Sequence, residues 1–331
     1  MHSPEPVVCL VIVTCNSTDV IERCLASVAA QTRLPDRLIV IDNASTDGSS
    51  GETERVLEHL PVLAARATVR REPHNLGFAA ANNRAIASTD ASWVALLNPD
   101  AFPEPSWLES LLAATRAHPD AAAFGSLQML DGRPDVVDGC GDVYHVTGLS
   151  WRAGHGRPLR PDHLEEREVF SVCAAAALYR RDAVVAAGMF DEDFFCYLED
   201  VDLGFRLRLA GHAAWQVPSA VVRHVGSSSS GGRHSPFAIY HGHRNMVWCF
   251  VKNMPQPLFA GLLLPHLAQT IVTFLVMWRR GRAHAFLAAK RDALAKLPSM
   301  LRKRTHARRA GQWRVGWRRI WRVLDAGWWR A

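Results

Sequence analysis

Four familiar signatures of nucleotide-dependent and hydrolytic enzymes are missing from this sequence of 331 residues. A GxGxxG turn would mark a dinucleotide fold, and GxxxxGK[ST] would mark the phosphate-binding loop of an NTPase. HExxH would indicate a zinc peptidase, and GxSxG would indicate a serine hydrolase. None of the four motifs occurs. The polar residues of this chain therefore serve a different chemistry.

Cysteine is also sparse, with seven residues scattered along the chain and no CxxC pair. An odd number without paired spacing favours neither a zinc ribbon nor a disulfide framework, so we expect a reducing, cytoplasmic compartment. The apolar stretch 7–14 is too short for a signal peptide and predicts a buried strand.

Acidic residues are nearly absent from the C-terminal end. Residues 279–331 contain 16 Lys and Arg against 2 Asp and Glu, a net charge of +14, which leaves −8 for the rest of the chain. An acidic body with a basic end predicts that the end meets a negatively charged surface.

The first half alternates short apolar runs with helical patterns, which predicts βαβ units and a mostly parallel α/β sheet flanked by helices. Strands are expected at 7–14, 37–42, 67–71 and 92–97, and helices near 19–30, 47–59, 77–88 and 105–117. Polar residues follow each of the four strands. They are Thr14, Asn16, Asp42, Asn43, Asn75, Asn98 and Asp100. Because ligands of such sheets bind at the carboxyl ends of the strands, we expect these residues to form one rim.

The acidic run 190–211 precedes and enters a predicted helix. An apolar stripe begins at Leu198, and Glu199 and Asp200 fall in the first turn. One interpretation is a helix cap, since the helix dipole favours acids there; the other is a general base or a neighbour of a metal ion. Asp202 is expected to pair with Arg206 at i+4.

The middle of the chain, 128–168, has weak periodicity and predicts a long loop over the sheet. The second half then predicts further short elements. These are a strand at 169–180, a helix at 181–187, strands at 213–217 and 220–225, and a flexible loop at 226–235.

Two C-terminal segments suggest contact with a membrane. Residues 258–278 are mostly apolar and long enough to span, yet Pro265 and His266 interrupt them, so an interfacial helix, a spanning helix and a core helix all remain possible. The other segment, from Trp313 to Trp328, predicts a terminal helix. One face of this helix is rich in Trp and the opposite face is rich in Arg, which suits an anionic membrane surface. The apolar face comprises Trp313, Trp317, Ile320, Trp321, Leu324 and Trp328. The alternatives are docking of the Trp stripe on the body and, less well supported, nucleic-acid binding.

Several segments together resemble the inverting family-2 glycosyltransferases, which have the GT-A fold. The resemblance covers about residues 7–250 and rests on VIVTCNS, VIDNASTDGS, NLGFAAANN, LLNPDA, FDEDFFCYLEDVDLGFRLRLAG and HVGSSSS. Within the family, NPDA, YLEDVDL and YHGHRN resemble bacterial rhamnosyltransferases of cell-surface glycans. We therefore expect a GT-A domain over 1–250 and a helical, membrane-associating region over 251–331.

The resemblance implies a nucleotide-diphosphate sugar donor, either dTDP-rhamnose or a UDP-sugar, with Mg²⁺ or Mn²⁺ as cofactor. It implies that Asp100 and His224 hold the metal ion, although Asn98 replaces the first acid of the usual motif. It also implies that Thr14, Asp42, Asn75 and Gly77 contact the nucleotide, and Arg244 is a candidate for the diphosphate.

An inverting transfer needs a base for the acceptor hydroxyl, for which Asp200 is the candidate and Glu199 the supporting residue. The expected function is the non-processive addition of a deoxyhexose to a lipid-linked glycan at the inner membrane face. A processive synthase would carry a QxxRW motif, which is absent. A non-catalytic sugar-nucleotide scaffold and a nucleic-acid-binding protein are the remaining alternatives, and the second leaves the rim unexplained.

Overall fold

A computed structural model of the chain describes residues 6–226 and 235–327. Most of the predicted loop 226–235 and the predicted position of Trp328 lie outside these ranges. Within them, the first half confirms all four predicted strands and all four predicted helices to within two residues. The strands are β1 (Val8–Thr14), β2 (Arg37–Asp42), β3 (Ala67–Arg71) and β4 (Trp93–Leu97). The helices are α1 (Thr18–Ala29), α2 (Ser49–Glu58), α4 (Gly77–Ala87) and α5 (Trp107–Ala117), with the short α3 (Pro61–Ala64) between α2 and β3.

The remaining strands continue the same sheet. They are β5 (Ala101–Pro103), β6 (Ala121–Leu130), β7 (Arg133–Gly139), β10 (Arg167–Glu168), β11 (Ala176–Arg180) and β12 (Ala213–His224). The order along the described sheet is β10-β12-β6-β11-β4-β1-β2-β3, with β5 on β12 and β7 on β6. Strands β3, β2, β1 and β4 are parallel, whereas β11 runs antiparallel to both β4 and β6. The parallel half forms the predicted rim, and the mixed half carries the rest of the site.

The prediction of a long loop over 128–168 is wrong. Strand β6 extends to Leu130, β7 pairs with it, and a separate hairpin is formed by β8 (Asp142–Tyr144) and β9 (Ser150–Arg152). These strands are short and contain Gly, Asp and Pro, so their pairing depends on distant partners and leaves little periodicity in the sequence. Likewise the strand expected at 169–180 is confined to Ala176–Arg180.

The two strands expected at 213–217 and 220–225 form the single strand β12, in which the register against β6 shifts between Val217 and Val221. Proline cannot donate to a strand ladder, so Pro218 accounts for the interruption that the sequence suggested. The short helix predicted at 181–187 is confirmed as α6 (Arg181–Ala186), and the acidic run leads into α7 (Glu199–Leu209).

Helices cover both faces of the sheet. One hydrophobic cluster packs α1, α2 and α5 against one face, and a second packs α4, α6 and α7 against the other. A parallel strand covered on both faces buries both sets of side chains, which explains the continuous apolar run of β1. Helix α7 is thereby fixed beside the carboxyl ends of the central strands.

Five helices follow. They are α8 (Pro236–Asn253), α9 (Gln256–Arg279), α10 (Ala283–Ala295), α11 (Leu297–Arg309) and α12 (Trp317–Trp321). A third hydrophobic cluster joins them to α7 and its preceding turn, and it includes Phe194, Phe205, Trp248, Phe250 and Met300. The residues of this cluster come from both sides of residue 250, the predicted boundary between the two regions.

Helix α9 has two different faces. On the inner side, the His266 ring stacks on Phe250 with 4.3 Å between centroids, and Nδ1 lies 2.7 Å from the Thr147 carbonyl oxygen. On the outer side, exposed apolar residues recur at helical spacing, and the helix is long and apolar enough to cross a membrane. Among them are Leu264, Leu267, Ile271, Val272, Leu275 and Trp278.

The prediction of a continuous Trp-faced terminal helix is wrong. Helix α12 is five residues long, and the amide groups of Arg314 and Val315 both donate to the Leu209 carbonyl, so the chain before it is tied to the end of α7. Trp313 packs on the third cluster, and the Arg304 guanidinium lies 5.3 Å from its ring centroid. Trp317 and Trp321 are exposed. The segment thus docks on the body through Trp313 and Ile320, whereas the alternative of a whole Trp stripe docked there holds only in part, since two of its tryptophans are exposed.

Candidate functional site

The predicted rim begins where β1 and β2 end side by side. Their parallel register pairs Thr14 with Asp42, and the Thr14 hydroxyl donates to Asp42 Oδ1 across 3.2 Å. The next amide, that of Asn43, donates to the Thr14 carbonyl across 2.8 Å. Asn16 follows in a left-handed conformation and accepts a hydrogen bond from the Thr46 amide through its side chain. Four of the rim residues therefore lie together.

Asn75 and Gly77 join this group through Asn43. The Asn43 side-chain Nδ2 donates to Asn75 Oδ1 across 3.0 Å, and Asn75 Oδ1 also accepts from the Gly77 backbone amide across 2.8 Å. Gly77 has a φ of +80°, and a Cβ there would come within 2.5 Å of the Phe195 ring. Glycine is therefore required for this loop to approach the turn that precedes α7.

The Asn98-Pro-Asp100 turn connects β4 to β5, and β5 pairs with β12 so that Ala101 is opposite His224. This register places Asp100 beside His224, with 3.3 Å between Asp100 Oδ1 and His224 Nε2. The other ring nitrogen, Nδ1, lies 2.8 Å from Asp138 Oδ2 on β7. Both carboxylates and the imidazole are buried. The two residues expected to hold a metal ion are thus adjacent, and a third, unpredicted acid orients the ring.

The electrostatics of this group favour ionised acids. Burial alone would raise the pKa of the Asp138 carboxyl, but hydrogen bonds with His155 and His224 and the charge of Arg152 hold it well below its usual range. Burial lowers the pKa of His224, whereas Asp100 and Asp138 raise it, and the net pKa is above the usual histidine value. Asp138 is therefore ionised, and it shares its charge with His224 and Arg152 at the carboxyl ends of the strands.

Whether a divalent cation fits can be judged from His224. Its buried Nε2 has no hydrogen-bond partner of acceptable geometry, while Nδ1 is held by Asp138, which is how carboxylates orient histidines that bind metals. Asp100 and Asp138 lie at different ring nitrogens and so do not converge on one point. Over 6–226 and 235–327, no group of three or more His, Cys, Asp or Glu is arranged to hold a metal ion. The residues fit an ion that takes its remaining ligands from a diphosphate.

The first turn of α7 contains Glu199 and Asp200, as the sequence predicted. Asp200 is half-buried and accepts hydrogen bonds from the amides of Ala174 and Val201, at 3.2 and 2.8 Å. Glu199 is buried, and its Oε2 has no hydrogen-bond partner. A third carboxyl, Asp142 on β8, is buried and accepts from the Ser171 hydroxyl across 2.8 Å.

Burial raises the pKa of all three carboxyls in this second group. Burial and the charge of Asp200 raise the pKa of Asp142 to about 8, and they raise the pKa of Glu199 well above its usual value. Burial also raises the pKa of Asp200, but its two backbone hydrogen bonds and Arg152 oppose the rise. Neighbouring carboxyls cannot all be charged in a desolvated site, and Asp200, the most exposed of the three and the one with amide donors, is the best placed to hold the charge.

Helix α7 approaches this group closely because Gly204 has no side chain. A Cβ at Gly204 would overlap the Ser171 Cβ and lie 3.2 Å from the Ser171 Cα. The helix therefore packs directly on the segment that contributes Ser171 and the Ala174 amide. Asp202, on the same helix, pairs with Arg206 across 2.9 Å as predicted, and Lys252 also contacts it.

Arg244, the candidate for the diphosphate, is buried on α8. Its Nη2 donates to the carbonyl oxygens of Asp193 and Phe194, at 3.2 and 2.9 Å. The guanidinium therefore contacts the turn before α7, and its assignment to the diphosphate stays a prediction.

The sequence did not point to Asp138, Asp142 or Arg152. Arg152 contacts Asp138, and its charge lowers the pKa of Asp142 and Asp200, so it links the two acidic groups. All three lie in the segment predicted to be a loop. The sequence indicated these acids only through the VDGCGD stretch, in which Asp138 and Asp142 are separated by a Gly-Cys-Gly segment.

Comparison with known proteins identifies the family to which the chain belongs. The family described as "Glycosyl transferase family 2" matches residues 9–186, more than half of the chain. The chain belongs to this family. The match covers the rim and the Asn98-Pro-Asp100 turn, whereas α7 and His224 lie beyond it.

Among the relatives of this family 2 glycosyltransferase is the N-acetylglucosaminyl-diphospho-decaprenol L-rhamnosyltransferase of Mycobacterium tuberculosis. It is 33% identical over 267 residues, which cover 74% of this chain and 83% of the relative. The pre-mycofactocin glycosyltransferase of the same species is 29% identical, and the match covers 72% of this chain and 48% of that protein.

Solved structures agree on the GT-A fold of this glycosyltransferase. The structure of GalNAc-T7 with UDP, GalNAc and Mn²⁺ matches with a TM-score of 0.61 at 16% identity, covering 76% of this chain and 48% of that one. The mannosyltransferase PcManGT of Pyrobaculum calidifontis, in complex with GDP-Man and Mn²⁺, matches with a TM-score of 0.55 at 20% identity, over 92% and 86% of the two chains.

Proposed function

We propose that this glycosyltransferase moves L-rhamnose, or a similar deoxyhexose, from a nucleoside-diphosphate donor to a lipid-linked glycan, with inversion and one sugar per encounter. The observation that carries the proposal is a pair of acidic groups linked by Arg152, which contacts Asp138 and interacts with Asp142 and Asp200. Asp100 and His224 lie 3.3 Å apart in the first group, and Asp200 lies in the first turn of α7 in the second. The group that contains Asp100 and His224 suits a leaving diphosphate with its cation. The group that contains Asp200 suits a general base for the acceptor hydroxyl.

The donor nucleotide would lie along the rim. Asp42, Asn43 and Asn75 offer side-chain oxygens and amides that suit a pyrimidine ring, and Thr14 and Asn16 begin the floor beneath it. The hydrogen bonds that already join these residues hold them in place before the donor binds, so less ordering is needed on binding.

Mg²⁺ or Mn²⁺ would be held by Asp100 and His224, with Asn98 close by in the same turn. When bound, the cation would neutralise the negative charge that develops on the leaving diphosphate. Two protein ligands suffice for such an ion because substrate phosphates complete its oxygen shell. Two structural neighbours that were solved with Mn²⁺ support the choice of metal.

Asp200 would take the proton of the acceptor hydroxyl as it attacks the anomeric carbon. A base must be ionised, and Asp200 is the carboxyl whose charged form is favoured by amide groups and Arg152. Glu199, whose pKa burial raises further, would be neutral and able to donate a hydrogen bond to the acceptor sugar. Arg244 would support the site by holding the turn before these acids, in addition to its candidate role at the diphosphate.

The sugar and the acceptor are proposed from the relative that acts as an L-rhamnosyltransferase on an N-acetylglucosaminyl-diphospho-decaprenol. An acceptor of that kind is anchored in a membrane. The outer face of α9 and the basic residues of 279–331 suit the surface of an anionic bilayer. Because the inner face of α9 is docked on the body at His266, an in-plane helix at the cytoplasmic membrane face is favoured over a spanning one.

The donor can be identified by thermal stabilisation. A ligand that binds the native state raises its apparent stability, so we expect dTDP-rhamnose with Mn²⁺ to raise Tm more than UDP- or GDP-sugars do. The selected donor is then tested for transfer to a lipid-linked N-acetylglucosaminyl diphosphate. Stabilisation by a different donor would overturn the rhamnosyl assignment, and binding without transfer to any acceptor would favour a scaffold.

The base is tested with Asp200→Asn. We expect the variant to lose about 10²- to 10⁴-fold in turnover, the usual contribution of a general base. Donor binding measured by calorimetry should persist, since Asp200 lies on the acceptor side. A variant that turns over at the wild-type rate would refute the assignment.

A further inference from the structure

The acidic turn before α7 is held by basic side chains from the C-terminal helices. Lys303, on α11, contacts Asp191 Oδ1 and lies 2.7 Å from Asp193 Oδ2. Lys296, at the start of α11, lies 2.9 Å from Asp193 Oδ1. Two carboxylates that lie 100 residues or more away in sequence are thus held by one helix.

Lysine is otherwise nearly absent from this chain. The sequence has four lysines among its 38 basic residues, all between 252 and 303. Besides Lys296 and Lys303, Lys252 also contacts the acidic run, at 2.6 Å from Asp191 Oδ2 and 2.7 Å from Asp202 Oδ1. A compact ammonium with three donors can be shared between carboxylates that point in different directions, which a planar guanidinium does less well. Three of the four lysines therefore serve one cluster.

The backbone that this cluster holds has an unusual conformation. Phe195, Tyr197 and Leu198 have φ values of 65°, 66° and 65°, in the left-handed region that side chains other than glycine seldom adopt. Such residues persist only where the surroundings fix them. Leu198 is the N-cap of α7, so the turn determines where Glu199 and Asp200 point.

The centre of the turn is held by α8. The buried Asn245 side chain donates to the carbonyl oxygens of Phe194, Cys196 and Tyr197, at 3.0, 2.9 and 2.7 Å. The lysines hold the segment immediately before it. The turn is therefore fixed by α8 along its length and by α11 at its entry.

We propose that Lys303 is a positioning residue, which acts through Asp191 and Asp193 to fix the left-handed turn that orients Glu199 and Asp200 at the start of α7. The inference rests on the proposed function of those two carboxyls. It makes α11 a part of the catalytic unit, although the same region is proposed to meet the membrane. Lys303 faces the acids, whereas the preceding residue, Arg302, is exposed.

The test compares Lys303→Met with Lys303→Arg and with Arg302→Met. Lys303→Met should lower kcat about ten- to a hundredfold, as a displaced catalytic group does, while KM for the donor stays near the wild-type value. Lys303→Arg keeps the charge but shares it less well between the two carboxylates, so it should restore kcat in part and exceed Lys303→Met. Arg302→Met removes one charge from the same helix and should turn over like the wild type.

Hydrogen exchange supplies a readout that does not depend on activity. We expect faster amide exchange at 191–200 in Lys303→Met, and wild-type exchange there in Arg302→Met. Wild-type kcat and exchange in Lys303→Met would overturn the proposal. It would also be overturned if Lys303→Met lost stability throughout and Lys303→Arg behaved the same way, since that result indicates a merely structural role.

The two proposals can fail separately. If the wild-type protein transfers no sugar from any nucleotide donor, the proposed function fails. The exchange at 191–200 then still decides the role of Lys303. A local increase confined to Lys303→Met supports it, and an unchanged turn contradicts it.

Discussion

His224 Nδ1 lies 2.8 Å from Asp138 Oδ2, and this hydrogen bond turns the other ring nitrogen of His224 toward Asp100. Asp138 thus connects strand β7 to the rim. A carboxylate in this position fixes the orientation and tautomer of a histidine and strengthens it as a ligand.

Replacing Asp138 with Asn should therefore weaken donor binding in the presence of Mn²⁺. We expect a loss of about 10- to 100-fold in metal-dependent affinity, measured by calorimetry with and without the cation. Asp135→Asn, on the exposed part of the same strand, is the matched control and should bind like the wild type. Equal donor affinity for both variants in Mn²⁺ and in chelator would contradict a metal role for this group.

Asp142→Asn should retain turnover, in contrast to Asp200→Asn. With a pKa near 8, Asp142 is protonated at neutral pH, and a neutral carboxamide resembles that form. The Ser171 hydroxyl can still donate to the amide oxygen. Steady-state rates of the two variants measure the difference, and an Asp142→Asn variant as inactive as Asp200→Asn would move the base to Asp142.

The same carboxyl should make stability depend on pH. An unfolded Asp has a pKa of about 4, whereas folding raises that of Asp142 to about 8, so the unfolded chain releases a proton that the native protein keeps. Its stabilising contribution is complete below about pH 4 and is lost as pH rises through about 8. The Tm of the wild type relative to Asp142→Asn should fall across that window, and a constant difference would contradict the shift.

Gly204→Ala should be harmful in spite of the higher helix propensity of alanine. The new methyl group would overlap Ser171 and push α7 away from it, which we expect to cost about 1–3 kcal/mol of stability and to displace Asp200. Gly242→Ala on α8 is the matched control, since no atom lies within 4 Å of its Cβ position, and it should be neutral or stabilising. Chemical denaturation and kcat report both effects.

The outer face of α9 should determine membrane binding. Ile271→Glu and Leu275→Glu should each reduce partitioning onto anionic vesicles about tenfold or more, because each removes an apolar side chain worth about 1.5–3 kcal/mol when buried in lipid. Leu164→Glu changes a similarly exposed leucine elsewhere and is the control.

Release of the wild-type protein from membranes by alkaline carbonate is also expected. Retention after that treatment would indicate a spanning helix.

The rim was predictable from the sequence because it depends on local order. Parallel strands with matched ends bring the residues after them to one edge, so Thr14 and Asp42 could be placed together from their positions alone. The first turn of α7 was predictable for a similar reason, since apolar spacing fixed where the helix begins.

The acids on β7 and β8 were not predictable because their positions depend on distant pairing. Asp142 pairs with Arg152 in a hairpin, and Asp138 reaches His224 across 86 residues of sequence. The terminal Trp pattern failed for the opposite reason. The apolar residues do recur at helical spacing, but hydrogen bonds to Leu209 before α12 and to Tyr144 after it limit the helix to five residues.

The hydrophobic cluster shared by α7 and the C-terminal helices determines how the protein would respond to proteolysis. A protease that cut after residue 250 would remove Lys252, Met254 and Met300 and expose aromatic rings, including Phe194 and Phe205. Such a patch promotes aggregation. We therefore expect a chain truncated after residue 250 to aggregate rather than to persist as an active soluble fragment.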